Sequence, residues 1–149
     1  PNSIVSDAND NIWVLCGGHT EYNSDWTQII SQTAGSLVKI TDNSIVSTYN
    51  FDVGNSPSDL IINDNGTSLF YSDGSWSKNV YKFNISDLDL PTTPIISRSF
   101  YGLGYNDGYI YGSDAVDYVQ NGWSYKYNES GTIVDSVQVG IIPGSYCFN

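Results

Sequence analysis

Side chains able to do chemistry are few and scattered in this sequence. His19 is the single histidine, followed by Tyr22 and Trp26. An imidazole there can ligate a metal, although a lone loop histidine is more often simply solvated. Asp114 and Asp117 form a carboxylate pair of the kind glycoside hydrolysis uses, but no second cluster of polar residues supports that chemistry. Asp7-Ala8-Asn9-Asp10-Asn11 resembles the opening of a calcium loop, yet no Glu stands at its twelfth position. Comparable turns at residues 63–66 and 106–108 make hairpin formation the better explanation. No spacing argues for a Ser/His/Asp set, and neither a phosphate-cradling glycine loop nor a Cys/His cluster is present. Cys16 and Cys147 lie far apart and read as buried free thiols rather than a disulfide. The residues favour recognition over catalysis.

Charge narrows the partners. Five basic residues stand against 16 acidic ones, a net charge of −11. Nucleic acid needs a concentrated positive field and is excluded as a partner; anionic lipid is disfavoured for the same reason. Hydrophobic residues make up 40%, too many for a disordered chain. Twelve Tyr, four Trp and 14 Gly, with abundant Asn, Asp, Ser and Thr, favour strands joined by tight turns. No apolar run approaches the ~20 residues of a membrane helix, and no signal peptide is evident. The sequence has no Met and opens inside a repeat, which reads as a mature fragment or half of something larger.

Positioning of the candidate residues depends on a repeat. Residues 56–84 give its clearest copy, with strands at 59–62, 68–72 and 79–84 separated by turn and loop residues. A fourth strand is expected at 95–100. The first copy has strands at 1–7, 12–16, 36–41 and 45–51, with an insertion at 17–35 in which residues 26–34 could form a turn or two of helix. The third copy has strands at 101–105, 109–112, 123–128 and 132–139, and residues 142–149 restart an opening strand. Lys39, Lys82 and Lys126 are spaced 43 and 44 residues apart, and Pro57 and Pro143 lie twice 43 apart. These lysines read as polar guards of sheet edges. Four strands at a period of about 43 residues is the signature of β-propeller blades. The predicted fold is all-β, with blades at 1–55, 56–100 and 101–140 and a closing strand at 141–149. Three blades do not close a ring. The missing N-terminal half of the propeller, or a second copy, is the expected partner.

In such an architecture the loops joining second and third strands share one face with the links between blades. That face would gather His19, Tyr22, Trp26, Trp76, Asp114, Asp117 and Tyr118. Aromatic loop residues offer broad contact at low entropic cost, which suits a flat macrocycle, a sugar or a peptide; alternatively Trp26 and Tyr118 only pin their own loops.

Several stretches together resemble a known family. They are P-N-S-I-V-S-D with W-V-L-C-G-G, T-A-G-S-L-V-K-I, G-N-S-P-S-D-L-I-I-N, Y-G-L-G-Y with I-Y-G-S-D-A-V-D-Y-V-Q-N-G, and V-G-I-I-P-G-S-Y-C-F-N. They are similar to the YncE-like propellers of Bacteroidota surface lipoproteins, in their C-terminal half and including the BtuG-like branch. The resemblance implies a ring of about seven blades and a lipid-anchored or secreted protein at the cell surface or outer membrane. It also implies non-enzymatic capture of a small ligand, cobalamin being the concrete candidate, for a TonB-dependent outer-membrane transporter. No cofactor is expected apart from cobalamin as that ligand. His19 would then be a candidate corrinoid ligand, and Asp135-Ser136-Val137 matches the short O-glycosylation pattern of such surface proteins. The alternative function is a surface-layer module that contacts protein or glycan.

Overall fold

Short runs of alternating apolar and polar residues, punctuated by Asn, Asp and Gly, can satisfy their backbone only by pairing with neighbours. The computed structural model, which describes residues 1–149, does so with thirteen strands in four antiparallel sheets and no helix. Strands β1 (Ser3–Ser6) and β2 (Ile12–Cys16) precede a separate hairpin, β3 (His19–Tyr22) with β4 (Ile29–Thr33). Strands β5 (Ser36–Thr41) and β6 (Ser44–Asn50) then complete the first sheet in the order β1-β2-β5-β6. The second sheet is β7 (Ser58–Ile62), β8 (Ser68–Asp73) and β9 (Asn79–Asn84). The third is β10 (Gly102–Asn106), β11 (Tyr109–Asp114), β12 (Asn121–Asn128) and β13 (Ile133–Ile141). No helix is present that could cross a membrane.

Two hairpin turns follow directly from residue type. Asp42 and Asn43 both adopt positive φ, as do Asp107 and Gly108. Two consecutive positive φ values define the tight turn whose twist matches paired strands.

The three main sheets pack face to face, with the second between the other two. Strand β8 shows why. Its sequence Ser68-Leu69-Phe70-Tyr71-Ser72-Asp73 is buried throughout, because alternation sends its side chains to two different cores. Leu69 and Tyr71 join Trp13, Leu15, Leu37, Phe51, Leu60 and Phe83 in the seam with the first sheet. Phe70 joins Val80, Ile96, Phe100, Ile110 and Tyr127 in the seam with the third. Strand β7 touches both β1 and β10, so the opening strands of consecutive sheets are neighbours. The Asn2 side-chain amide donates to the Pro57 carbonyl at 2.8 Å, tying the first two together.

Lys39 and Lys126 do not guard edges, since they stand on the inner strands β5 and β12, whereas Lys82 stands on β9, at an edge of its sheet. Each stands directly opposite an aromatic of the second strand of its sheet: Lys39 opposite Trp13, Lys82 opposite Phe70 and Lys126 opposite Tyr111. Their ammonium groups lie 5.4, 5.5 and 5.7 Å from those ring centres. Cross-strand neighbours share a face, so the long stem covers the ring and the charge sits over its negative face.

Four other expectations are corrected. Residues 26–34 form no helical turn; the insertion is the β3–β4 hairpin, because Asn23 accepts from the Thr27 and Gln28 amides and turns the chain back. Residues 95–100 form no fourth strand, so the second sheet has three. Only Ile96 bridges to Val80, since the chain then leaves to place Phe100 in the second seam. Residues 142–149 form no closing strand. They instead lie across the outer face of the third sheet, where Tyr146 and Phe148 pack on Tyr111 at 5.7 and 5.2 Å. Gly104 admits them: a Cβ there would come within 2.8 Å of Tyr146. The cysteines are free, but Cys16 is only half-buried and Cys147 is exposed.

Candidate functional site

Antiparallel succession places the connections after β2, β8 and β11 at one end of the stack, together with the link from β6 to β7. The Ser56 amide donates to the Gly74 carbonyl there at 3.0 Å, joining that link to the β8–β9 loop.

The seven residues expected to converge at this end divide. Tyr22 and Trp26 pack on each other at a tilt within the hairpin, ring centres 5.4 Å apart. Tyr118 packs edge-on against Tyr101 at 5.6 Å and shares a cleft of about 220 Å³ with Asp114. Asp114 accepts from the Val116 amide and lies 3.8 Å from the Arg98 guanidinium. Asp117 is used locally: its carboxylate accepts from the Val119 and Gln120 amides and the Gln120 side chain. The Gln120 bonds, backbone first, hold it below the ordinary carboxylate range. His19 is exposed, and Trp76 is 98% exposed at the tip of its loop. His19, Trp76 and Asp117 make no hydrogen bond or ring contact with the other four. Asp7, in the calcium-like stretch, accepts from the Asn9 and Asn11 amides, the Asn11 side chain and the Trp13 indole. It therefore locks the first hairpin onto the core.

A second arrangement at this end is built from residues outside that set. Alternation along β8 points Asp73 to the same side as Leu69 and Tyr71, toward the first sheet. As the last residue of the strand it reaches the end of the seam, where the core gives way to a cavity of about 280 Å³. Phe51, Tyr71 and Tyr81 wall this cavity, Asp52 and Asn55 come from the link after β6, and residues 90–92 close one side. Tyr71 is edge-on to Phe51 at 5.4 Å and stacked on Tyr81 at 5.9 Å.

Asp73 as a residue keeps only 9% of its exposure. The Asn55 amide donates to its Oδ2 at 2.9 Å, whereas Oδ1 is buried without a hydrogen-bond partner. Burial pushes the carboxyl pKa up; the Gly74 amide and Asn55 offset part of this, the negative charge of Asp52 adds to it, and Lys78 opposes it. Lys78 does not quench the charge by contact, because its ammonium donates to the Ser58 hydroxyl at 2.9 Å. Burial, and then the Asp73 charge, push the Tyr71 hydroxyl well above its usual range. A buried polar atom without a partner costs free energy, so this group stands out.

Sequence reading missed this cavity because its walls come from four separated stretches. The available signals were an acid closing the otherwise apolar strand Leu69–Phe70–Tyr71, and Asp52 directly after a core phenylalanine. Comparison with protein-family models and with curated proteins finds no match to the chain.

Proposed function

We propose that the chain is a non-enzymatic binding module of a cell-surface β-propeller, its three main sheets being consecutive blades. The observation that carries the binding reading is the opening of both clefts, about 280 and 220 Å³, at the end that also bears the exposed Trp26 and Trp76. Both clefts combine aromatic walls with several polar groups, and small-molecule sites pair apolar walls with placed polar groups in this way. The blade reading is supported by the neighbouring opening strands and by the repeated lysine-over-aromatic pairing. A partner, either an N-terminal half or a second copy, would cover the outer face of the first sheet. There Ile4, Val14 and Val38 stand side by side in register, with Ile4 66% exposed.

Resemblance to the YncE-like and BtuG-like surface lipoproteins supports capture of cobalamin for an outer-membrane transporter by a lipid-anchored or secreted protein. Both clefts are too small to enclose a corrinoid, so the macrocycle would rest on the aromatic rim. Calorimetric titration of cyanocobalamin is the test. Saturable heat, weakened when Trp26 and Trp76 are both changed to Ala, is expected. Absence of heat with folded protein would remove cobalamin. The near-complete exposure of Trp76 favours a second reading, a surface-layer module contacting glycan or protein, which would then stand first.

A further inference from the structure

We propose that the Asp73 cavity is a binding subsite for a small organic amine in its primary or secondary ammonium form. This deepens the ligand-capture reading and rests on it. The argument starts from what the site lacks. Asp73, whose Oδ1 is buried without a side-chain donor, lines a cavity of about 280 Å³. Only an N–H or O–H group can satisfy that oxygen, and Asp52 beside the cavity adds a second negative charge. A donor that is also a cation answers both demands, since charge-assisted hydrogen bonds are the strong ones.

The chain's own cations do not serve. Lys78, the nearby base, is held by Ser58. A calcium ion would draw on six or more oxygen ligands, and no group of three or more acidic, His or Cys side chains is assembled anywhere in the chain. Phe51, Tyr71 and Tyr81 supply aromatic walls, beside Asn50, Asn55 and residues 90–92. The three rings suit an apolar body and add attraction for a cation at their faces. A quaternary ammonium would gain that attraction but has no N–H for Oδ1. The preferred ligand is therefore an amine bearing at least one proton donor when charged, attached to a body of modest size.

Three probes of similar shape separate these contributions: benzylammonium, benzyl alcohol and benzyltrimethylammonium, each titrated calorimetrically into the protein near neutral pH. Benzylammonium is expected to bind saturably, the trimethylated cation more weakly, and the alcohol weakest. Asp73→Asn should weaken benzylammonium by about tenfold or more, as expected for loss of a charged hydrogen bond, and Asp52→Asn by less. Equal binding of benzylammonium and benzyl alcohol, no saturable binding of benzylammonium, or undiminished binding by a folded Asp73→Asn variant would each overturn the assignment. Should that variant fail to fold, the three-probe series on the unaltered protein decides. Saturable cyanocobalamin heat alongside a null for benzylammonium would remove the amine subsite alone. Benzylammonium binding without cyanocobalamin heat would remove the corrinoid reading alone.

Discussion

Each of the two seams between sheets holds a carboxylate near one end, and the two ends treat it in opposite ways. At the seam between second and third sheets, Glu129 accepts from the Tyr105 hydroxyl, from the Lys82 ammonium at 2.9 Å and from the Asn63 amide at 3.3 Å. Burial pushes its carboxyl up, but these bonds and the Lys82 charge outweigh that and hold it below the ordinary range. At the seam between first and second sheets, Asp73 has one side-chain bond, from Asn55, and the neighbouring Gly74 amide, and burial prevails. The β7–β8 and β12–β13 turns close the Glu129 end, while the long loops gather at the Asp73 end. Paired groups explain architecture by themselves. An unmet demand in a cavity asks for something from outside.

The comparison is cleanest if the two seams share an equivalent core, which sets the largest expected effect. Phe83→Ala in the first seam and Phe70→Ala in the second each remove a fully buried ring. Each should cost about 3–5 kcal/mol, read from denaturant midpoints at constant slope. A much cheaper Phe83 change would mean that the first seam is loosely packed and that the cavity is merely part of it.

Glu129→Gln comes next. It keeps the shape but loses the charge, and should lower stability by about 1–2 kcal/mol, toward the lower figure because the carboxylate is a third open to solvent. Its pH signature is set by its lowered pKa. The contribution is present above the unfolded-state value and is lost as pH falls through the lower folded-state value. Asp7 belongs to the same class: burial raises its carboxyl, and the bonds from Trp13, Asn11 and the Asn9 amide more than reverse this. Unfolding curves should therefore show acid destabilisation that Glu129→Gln partly removes.

Asp73→Asn should act in the opposite direction and by less, raising stability at neutral pH by up to ~1 kcal/mol, since it removes a buried charge lacking a full set of partners. Asp73 has a folded-state pKa above its unfolded value, so the native state binds the extra proton as pH falls through that raised value. Unaltered protein then gains relative to the variant, and the difference should vanish near pH ~4, where the unfolded carboxyl also titrates. A stability loss in the variant at neutral pH would mean that Asp73 is paired in solution. Smallest of all is Trp76→Ala, expected within ~0.5 kcal/mol because the ring touches little; a larger loss would show that the loop is packed.

Much of the fold was legible because short-range chemistry fixes it. The runs at 12–16, 36–41, 68–72 and 79–84 are short, rich in β-branched and aromatic residues and bounded by turn residues, as strands should be, and Asp42-Asn43 and Asp107-Gly108 announce tight turns. The lysine spacing was visible too, but its meaning required register, which brings Lys39 over Trp13. The β3–β4 hairpin escaped because His19–Tyr22 and Ile29–Thr33 bury almost nothing, leaving no alternation to read. The second sheet's missing strand depends on where Phe100 must go, a tertiary demand. The candidate site was the least legible part. Asp73 looks like the first residue of a loop until β8 is known to be buried on both faces, and Tyr81 and Asp52 join it only through packing.

The most direct test of the account is the carbon-detected NMR titration of the Asp73 side-chain carboxyl, with and without benzylammonium. The account predicts a pKa above the ordinary aspartate range in the free protein, falling when the cation binds, while Glu129 stays below its own range and does not respond. An ordinary Asp73 titration that benzylammonium leaves unchanged would contradict it.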